Sequence, residues 1–482
     1  MRNLQPQKLW NFFYQITQIP RPSKKEEKII AYLVNYAKSQ NLPFAQDSSG
    51  NLLIKKPATA GYENQPTVIL QAHVDMVCEK NADSTHNFDT DPIEAYVDGD
   101  WVKARGTTLG ADNGIGVAMM LAILDSDDLK HPALECLFTV DEETGLTGAY
   151  GLAKDFLSGS ILINLDSEED GEVFIGCAGG IGTRAFFDYE TEATPPGYFG
   201  FRVSVSGLSG GHSGGDIHLG RANANKVLNR YLWELNQQVD LRLYSFEGGN
   251  LHNAIPREAT ALCAVPHADK EKVRAMLNMY IATLEERYQG IEPNLQINLE
   301  SESLPASVMT KSFSDRFLNV LYACPHGVKA MSRDIPGLVE TSTNLASVKM
   351  MDNNRIEVNT SQRSSSNDGK TDIANQVYAA LTLGGAEVKQ SDGYPGWQPN
   401  KNSIILKKAS AAYEKLFGQA PVQTAIHAGL ECGLFLEKYP HLDMISMGPQ
   451  MYDVHSPDER VSISSTEKSW KWLIEILASL HA

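Results

Sequence analysis

Pro66-Thr-Val-Ile-Leu-Gln-Ala-His-Val-Asp-Met-Val77 is the stretch whose reading decides the fold. Thr67 to Ala72 is an apolar, β-branched run with the length of a buried strand. At its end stand His73 and Asp75, two residues apart and therefore on one face of extended backbone. The carboxyl end of a strand is where an open α/β sheet builds its site. A lone His-x-Asp carries little weight, because most single histidines are surface or hydrogen-bonded core residues. What matters is whether other strands bring ligands to the same edge.

They do. Leu134-Glu-Cys-Leu-Phe-Thr-Val140 reads as a strand ending in Asp141-Glu142-Glu143-Thr-Gly145, and Ser160 to Asp166 as another ending in an acid. Between them, Gly106-Thr-Thr-Leu-Gly-Ala-Asp112-Asn-Gly-Ile-Gly116 leads into an apolar helix from Ile115 to Leu124. Upstream, residues 7–18 are helical, and a break at Ile19-Pro-Arg-Pro22 follows. Ser23-x-x-Glu26 then reads as a capping box opening a helix to about Ser39. Strands alternating with helices, each strand finishing on a metal-capable side chain, predict an α/β fold with a mostly parallel twisted sheet flanked by helices.

Near Gly179-Gly180 the pattern changes to polar-alternating strands such as Phe201 to Ser206. A glycine-rich loop, Gly207-Leu-Ser-Gly-Gly-His212-Ser-Gly, and a helix from Ala222 to Gln237 follow. This is the signature of antiparallel sheet with helices on one face. Two similar halves could fit in this region, without a clear repeat. Ser391 to Pro399, rich in Gly and Pro, reads as a domain crossing. The expected organisation is a first domain over residues 1–184, an inserted α+β domain over 185–392, and the remainder of the first domain over 393–482.

With 482 residues and 42% hydrophobic content, the chain is long enough for two or three domains with large cores. Its net charge of −17 argues against nucleic acid or an anionic membrane as partner. No secretory signal is read at the start, and no apolar run approaches the roughly 18 residues of a membrane span. The six cysteines are scattered, without Cys-x-x-Cys, which suits reduced thiols and a cytoplasmic location and argues against thiolate zinc.

His73, Asp112, Glu143, Asp166 and His455 are hard or borderline donors, suited to Zn, Co or Mn. A pair of such ions needs a bridging carboxylate. Asp112, in a glycine-bracketed turn at a helix start, is the natural bridge, a plain N-cap being the alternative. Three consecutive acids at 141–143 repel one another unless cations are near, the alternative being a solvated acidic turn. Past the strand end, Glu142 and Glu143 can share a site, one binding metal while the other moves protons.

His73-Val-Asp75, Gly110-Ala-Asp112-Asn-Gly, Asp141-Glu142-Glu143-Thr-Gly, Asp166 and the late His455 together resemble the co-catalytic metallopeptidases of the M20 clan. Gln71-Ala-His-Val-Asp-Met-Val, Tyr394-Pro-Gly-Trp and His427-Ala-Gly-Leu-Glu-Cys-Gly resemble its branch of cytosolic Xaa-His dipeptidases. The likeness runs over essentially the whole chain, with the insertion in the place where that clan carries a lid domain. It implies two divalent ions per subunit, zinc first and cobalt or manganese as alternatives. His73 and Asp166 would hold one ion, Glu143 and His455 the other, and Asp112 both. Asp75 would orient His73, and the Asp112–Asn113 bond would be cis.

Glu142 matches the general base and later acid, acting on a metal-activated water. His212 matches a lid histidine that reaches the oxyanion, in some relatives from a partner subunit. A homodimer and a self-sufficient monomer both remain open. Asn253 and Arg363 match lid positions that touch substrate, and Glu431 would suit a substrate ammonium, a structural carboxylate being the alternative. The implied substrates are unblocked dipeptides, including Xaa-His dipeptides. An N-acyl amino acid deacylase or carboxypeptidase of the same clan is the alternative, followed by a non-catalytic peptide-binding relative.

Overall fold

The computed structural model describes Met1 and residues 3–481. Two compact units emerge. The first comprises Met1–Cys177, Trp397–Ala425 and Leu430–Ala482, and the second Ala178–Gly396 and Ile426–Gly429. The insertion thus begins before the expected residue 185, because Gly179–Asp188 is a strand of the second unit's own sheet.

The first unit opens with helices α1 (Gln7–Thr17) and α2 (Glu27–Ser39). Strands β1 (Phe44–Gln46), β2 (Leu52–Lys56) and β3 (Val68–His73) follow, then the hairpin β4 (Ala95–Asp98) and β5 (Trp101–Ala104). Next come α3 (Ala111–Leu124), β6 (Leu134–Thr139), α4 (Thr147–Gly151), β7 (Ile161–Asn164) and β8 (Glu172–Cys177). The main sheet runs β1-β2-β6-β3-β7, then Asp443–Ser446, β8 and Val422–Ile426.

Its four central strands, β6, β3, β7 and Asp443–Ser446, are mutually parallel, so their carboxyl ends share one edge. Every residue of β3, β6 and β7 is buried, as the near-continuous apolar runs of a parallel sheet require. Helix α3 packs on β3 and α1 on α3. From Asn113 onward α3 is buried on all sides, which explains its apolar composition.

The capping box at Ser23 does not form. Glu26 makes no side-chain cap to α2. Its Oε1 instead accepts the amides of Lys24 at 2.8 Å and Asp141 at 3.0 Å, and Ser23 Oγ donates to Asp75 Oδ2 at 2.8 Å. Both side chains are drawn away from the helix by stronger partners at the sheet edge.

The second unit is built on a nine-stranded sheet. One portion orders Gln296–Glu302, Tyr198–Ser206, Ala259–Pro266 and Arg242–Gly248, and the other Val339–Met351, Arg355–Ser364, Gly179–Asp188 and Glu387–Gln390. The portions meet at one residue pair, Gly248 with Val348. Alternate strand residues such as Phe201, Val203, Ile356 and Val358 share one apolar core with the helices Ala224–Asn236, Lys270–Arg287, Lys311–Ala323 and Asn367–Leu383. Among the described residues, no helix is long and apolar enough to cross a membrane.

Candidate metal centre

The carboxyl edge of the parallel strands gathers the ionisable side chains. His73 is the last residue of β3, and its Nε2 lies 2.9 Å from Asp112 Oδ1 and 3.4 Å from Asp166 Oδ1. His455 Nε2 lies 3.1 Å from both Asp112 Oδ2 and Glu143 Oε2. Ligand atoms within 4.8 Å of one another therefore form two triads, His73-Asp112-Asp166 and Asp112-Glu143-His455, with Asp112 in both. A third such group is His73-Glu142-Glu143.

Local backbone makes this convergence possible. Asp112 and Asn113 depart from helical angles inside α3, and the bond between them is cis. Asn113 Nδ2 donates to Asp166 Oδ1, tying the turn to β7. Gly110, at φ 69°, is in the left-handed region, and a Cβ there would collide with the Arg21 guanidinium. His455 also adopts a positive φ, 62°, which turns its ring back toward Asp112.

Beneath the ligands lies a layer of anchors. Asp75, fully buried, has Oδ1 3.3 Å from His73 Nδ1. Its two oxygens also accept the amides of Glu142 at 3.1 Å and Glu143 at 3.2 Å. Burial would raise the Asp75 carboxyl, but the His73 and Ser23 hydrogen bonds outweigh it and hold the group at about 2.

Two anchors escaped sequence reasoning. Arg21 is 2% exposed, and it donates to the carbonyls of Val74 at 2.8 Å and Asp75 at 2.7 Å, and to that of Gly110. Glu459, also 2% exposed, accepts the amides of Leu109 (2.7 Å), Gly110 (2.9 Å), Ala111 (2.7 Å) and Asp112 (3.3 Å). Only the position of Arg21 between two prolines hinted at a fixed backbone there.

The electrostatics are those of crowded acids. Burial, then the Asp112 and Asp166 charges, push Glu168 up to about 8, a residue the sequence reading did not single out. Burial lifts Asp166 to about 6 against the pull of His73. Glu142 stands well above the ordinary carboxylate range, raised by burial and by Asp166, Glu431 and Glu143 against the pull of His73. Its amide donates to Asp75 Oδ1 at 3.1 Å, which fixes the backbone from which the carboxyl group projects. Two imidazoles and three carboxylates, with one carboxylate shared, fit a pair of hard or borderline divalent cations. The buried Glu143 Oε1, without a hydrogen-bond partner among the described residues, fits the same reading.

Glu431 is buried, and its Oε1 has no hydrogen-bond partner among the described residues. It opens the helix Glu431–Lys438 with no exposed surface, and its Oε2 accepts from Gln71 Nε2 at 2.6 Å and Thr139 Oγ1 at 2.9 Å.

The second unit brings the remaining candidates together. His212 Nε2 lies 3.5 Å from Arg363 Nη2, and Arg363 Nη1 donates to Tyr394 Oη at 3.1 Å. His212 Nδ1 accepts the Gly215 amide at 2.9 Å, which leaves the proton of the neutral ring on Nε2. Burial, then the Arg363 charge, lower His212 to about 4. Asn253 is exposed, and its carbonyl accepts the Ser213 amide at 2.8 Å, so its loop is fastened beside His212.

Comparison with known proteins yields a consistent picture. The profile of peptidase family M20/M25/M40 matches residues 69–479. The chain is 45% identical over 482 residues to the cytosol non-specific dipeptidase of Escherichia coli (strain K12), covering 100% of this chain and 99% of that protein. The aminoacylhistidine dipeptidase of Vibrio alginolyticus superposes with a TM-score of 0.91 at 44% identity, covering 99% of this chain and 97% of that one. A tripeptidase from Staphylococcus aureus shares the fold, with a TM-score of 0.58 at 15% identity over 99% of both chains.

Proposed function

The chain belongs to peptidase family M20/M25/M40, and from that premise we propose that it is a metallo-dipeptidase hydrolysing unblocked dipeptides, Xaa-His dipeptides among them. The observation that carries this is the pair of ligand triads sharing Asp112, with a free carboxyl group, Glu142, beside them. Full-length similarity to two dipeptidases supports the substrate class. We assign two divalent ions, zinc first, to His73, Asp112, Glu143, Asp166 and His455. Dipeptides are the partners we assign, in the cytoplasm, with a homodimer compatible with the fold.

When bound, such ions acidify a water molecule and polarise the scissile carbonyl. Glu142 takes the proton from the attacking water and returns it to the leaving nitrogen, the amide grip of Asp75 keeping its backbone still. Asp75 orients the His73 ring through Nδ1. We assign the Nε2–H of His212 to the oxyanion, where a fixed donor does most for the transition state. Arg363, whose Nε is buried without a hydrogen-bond partner among the described residues, and Asn253 are assigned to the substrate.

The test is hydrolysis of β-Ala-His, Gly-Gly and an N-acetyl amino acid by metal-stripped protein with Zn, Co or Mn restored, beside Glu142→Ala. Dipeptide cleavage that returns with metal and is absent in Glu142→Ala is expected. Turnover of the N-acetyl substrate alone would make the protein a deacylase, and no turnover with two ions bound would make it a binding protein.

A further inference from the structure

Under the ligand edge lies a second polar layer inside the parallel sheet. Gln71 and Asn164 precede the site residues His73 and Asp166 by two positions, and Thr139 ends the strand that leads into the turn of Glu142 and Glu143. In extended backbone such pairs share a face. All three side chains have no exposed surface, as do Ser446 and Glu431. A core of this kind leaves no water to satisfy polar groups, so their hydrogen bonds must be made internally.

Those bonds run in one direction. Ser446 Oγ donates to Asn164 Oδ1, so it accepts from Ser167 Oγ, 2.6 Å away. Asn164 Nδ2 donates to Gln71 Oε1 at 2.6 Å. Gln71 Nε2 donates to Glu431 Oε2 at 2.6 Å, and Thr139 Oγ1 donates to the same oxygen at 2.9 Å. The chain crosses β7, β3 and β6 and stops at one carboxyl oxygen. Reversing any amide would set donor against donor or acceptor against acceptor along its length.

We infer that Glu431 is a positioning residue, the terminal acceptor that fixes the orientation of Gln71, Thr139 and Asn164 and thereby the strand ends carrying His73, Asp141 to Glu143, and Asp166. This rests on the two-metal reading above. Gln71 Nε2 also donates to Thr139 Oγ1 at 3.1 Å, so removing the acceptor leaves one Gln71 N–H and the Thr139 hydroxyl unpaired, and the strand ends are expected to shift to satisfy them. Cation binding then suffers, as it does when residues behind metal ligands are altered. Glutamine at 431 keeps an oxygen in the same place.

The experiment is Zn2+ binding by the full chain, measured by competition with a chromophoric chelator, with circular dichroism as the check on folding. Glu431→Ala is expected to weaken Zn2+ by roughly 10–100-fold, and Glu431→Gln to stay within about 3-fold of the wild type. In turnover, kcat should fall in the alanine variant and return in the glutamine one. Wild-type affinity in folded Glu431→Ala would overturn this inference alone, and so would a glutamine variant as weak as alanine. A wild type that binds no Zn2+ would overturn the two-metal reading and this inference with it. Should Glu431→Ala not fold, Thr139→Val decides. It removes one of the two donors without changing shape, and unaltered Zn2+ affinity there would likewise overturn the inference.

Discussion

His73 Nδ1 lies 3.3 Å from Asp75 Oδ1, and the two side chains are 1% and 0% exposed. The carboxylate has four calls on it: the imidazole, the Ser23 hydroxyl and the amides of Glu142 and Glu143. Asp75→Ala releases all four, so the ring, the base and one ligand loosen together. We expect metal affinity to fall about 10–100-fold. Chelator competition measures it, and an unchanged affinity would refute the orienting role.

Protons and cations compete for the same imidazoles. Hydrogen bonds to the Asp112 and Glu143 carboxylates, ahead of the opposing burial, raise His455 to about 11. Burial works against protonation of His73, yet Asp166 and Asp112 carry it well above its ordinary value. Both rings therefore hold protons at neutrality in the cation-free protein and must surrender them to bind metal. Affinity should rise with pH and weaken as pH falls. Titration calorimetry in two buffers of different ionisation enthalpy should show protons released on binding, and heats independent of buffer would count against it.

His212 behaves in the opposite sense. With its value lowered to about 4, the ring stays neutral wherever the enzyme works, and its Nε2–H is present throughout. His212→Gln is expected to lower kcat by about 100–1,000-fold, the usual cost of one oxyanion donor. The shape of the pH profile between about pH 5.5 and 8 should not change, because His212 contributes no titration there. A limb that vanished in the variant would sink the assignment.

Glu459→Ala removes the acceptor for four successive amides in the turn that carries Asp112. Several buried donors would be orphaned, and a loss of about 3 kcal/mol of stability is expected. Urea denaturation with metal removed would register it. A midpoint equal to the wild type would mean that solvent replaces the carboxylate.

The candidate ligands His73, Glu143 and Asp166 stood out in the sequence because each follows an apolar strand, and Asp112 because it sits in a glycine-rich turn, whereas His455, in a Val-His-Ser-Pro loop, has no such pattern around it. The parallel order of the strands followed from the same alternation. Arg21 and Glu459 were not legible, because their partners are backbone atoms, which leave no pattern in the residue types. Ser23 was misread for a related reason. A serine three residues before a glutamate fits a capping box, and nothing local reveals that Asp75 competes for its hydroxyl. Glu431 was open to two readings, an acid that pairs a substrate amine and a structural carboxylate, because nothing near it in the sequence decides between them. Its burial depends on Gln71 and Thr139, far away in the chain.

The backbone of Cys177 exchanges both hydrogen bonds with that of Trp397, at 2.8 and 2.9 Å, so the long segment Ala178–Gly396 leaves and re-enters the first unit through one rung. His73, Asp112, Glu143 and Asp166 are translated before that rung, while His455 and the Glu459 clamp come after the entire insertion. Under the assignment proposed above, a chain still on the ribosome carries an incomplete ligand set until the whole insertion has been made. The dipeptide hydrolysis proposed for this edge therefore waits until the segment beyond the insertion has been delivered.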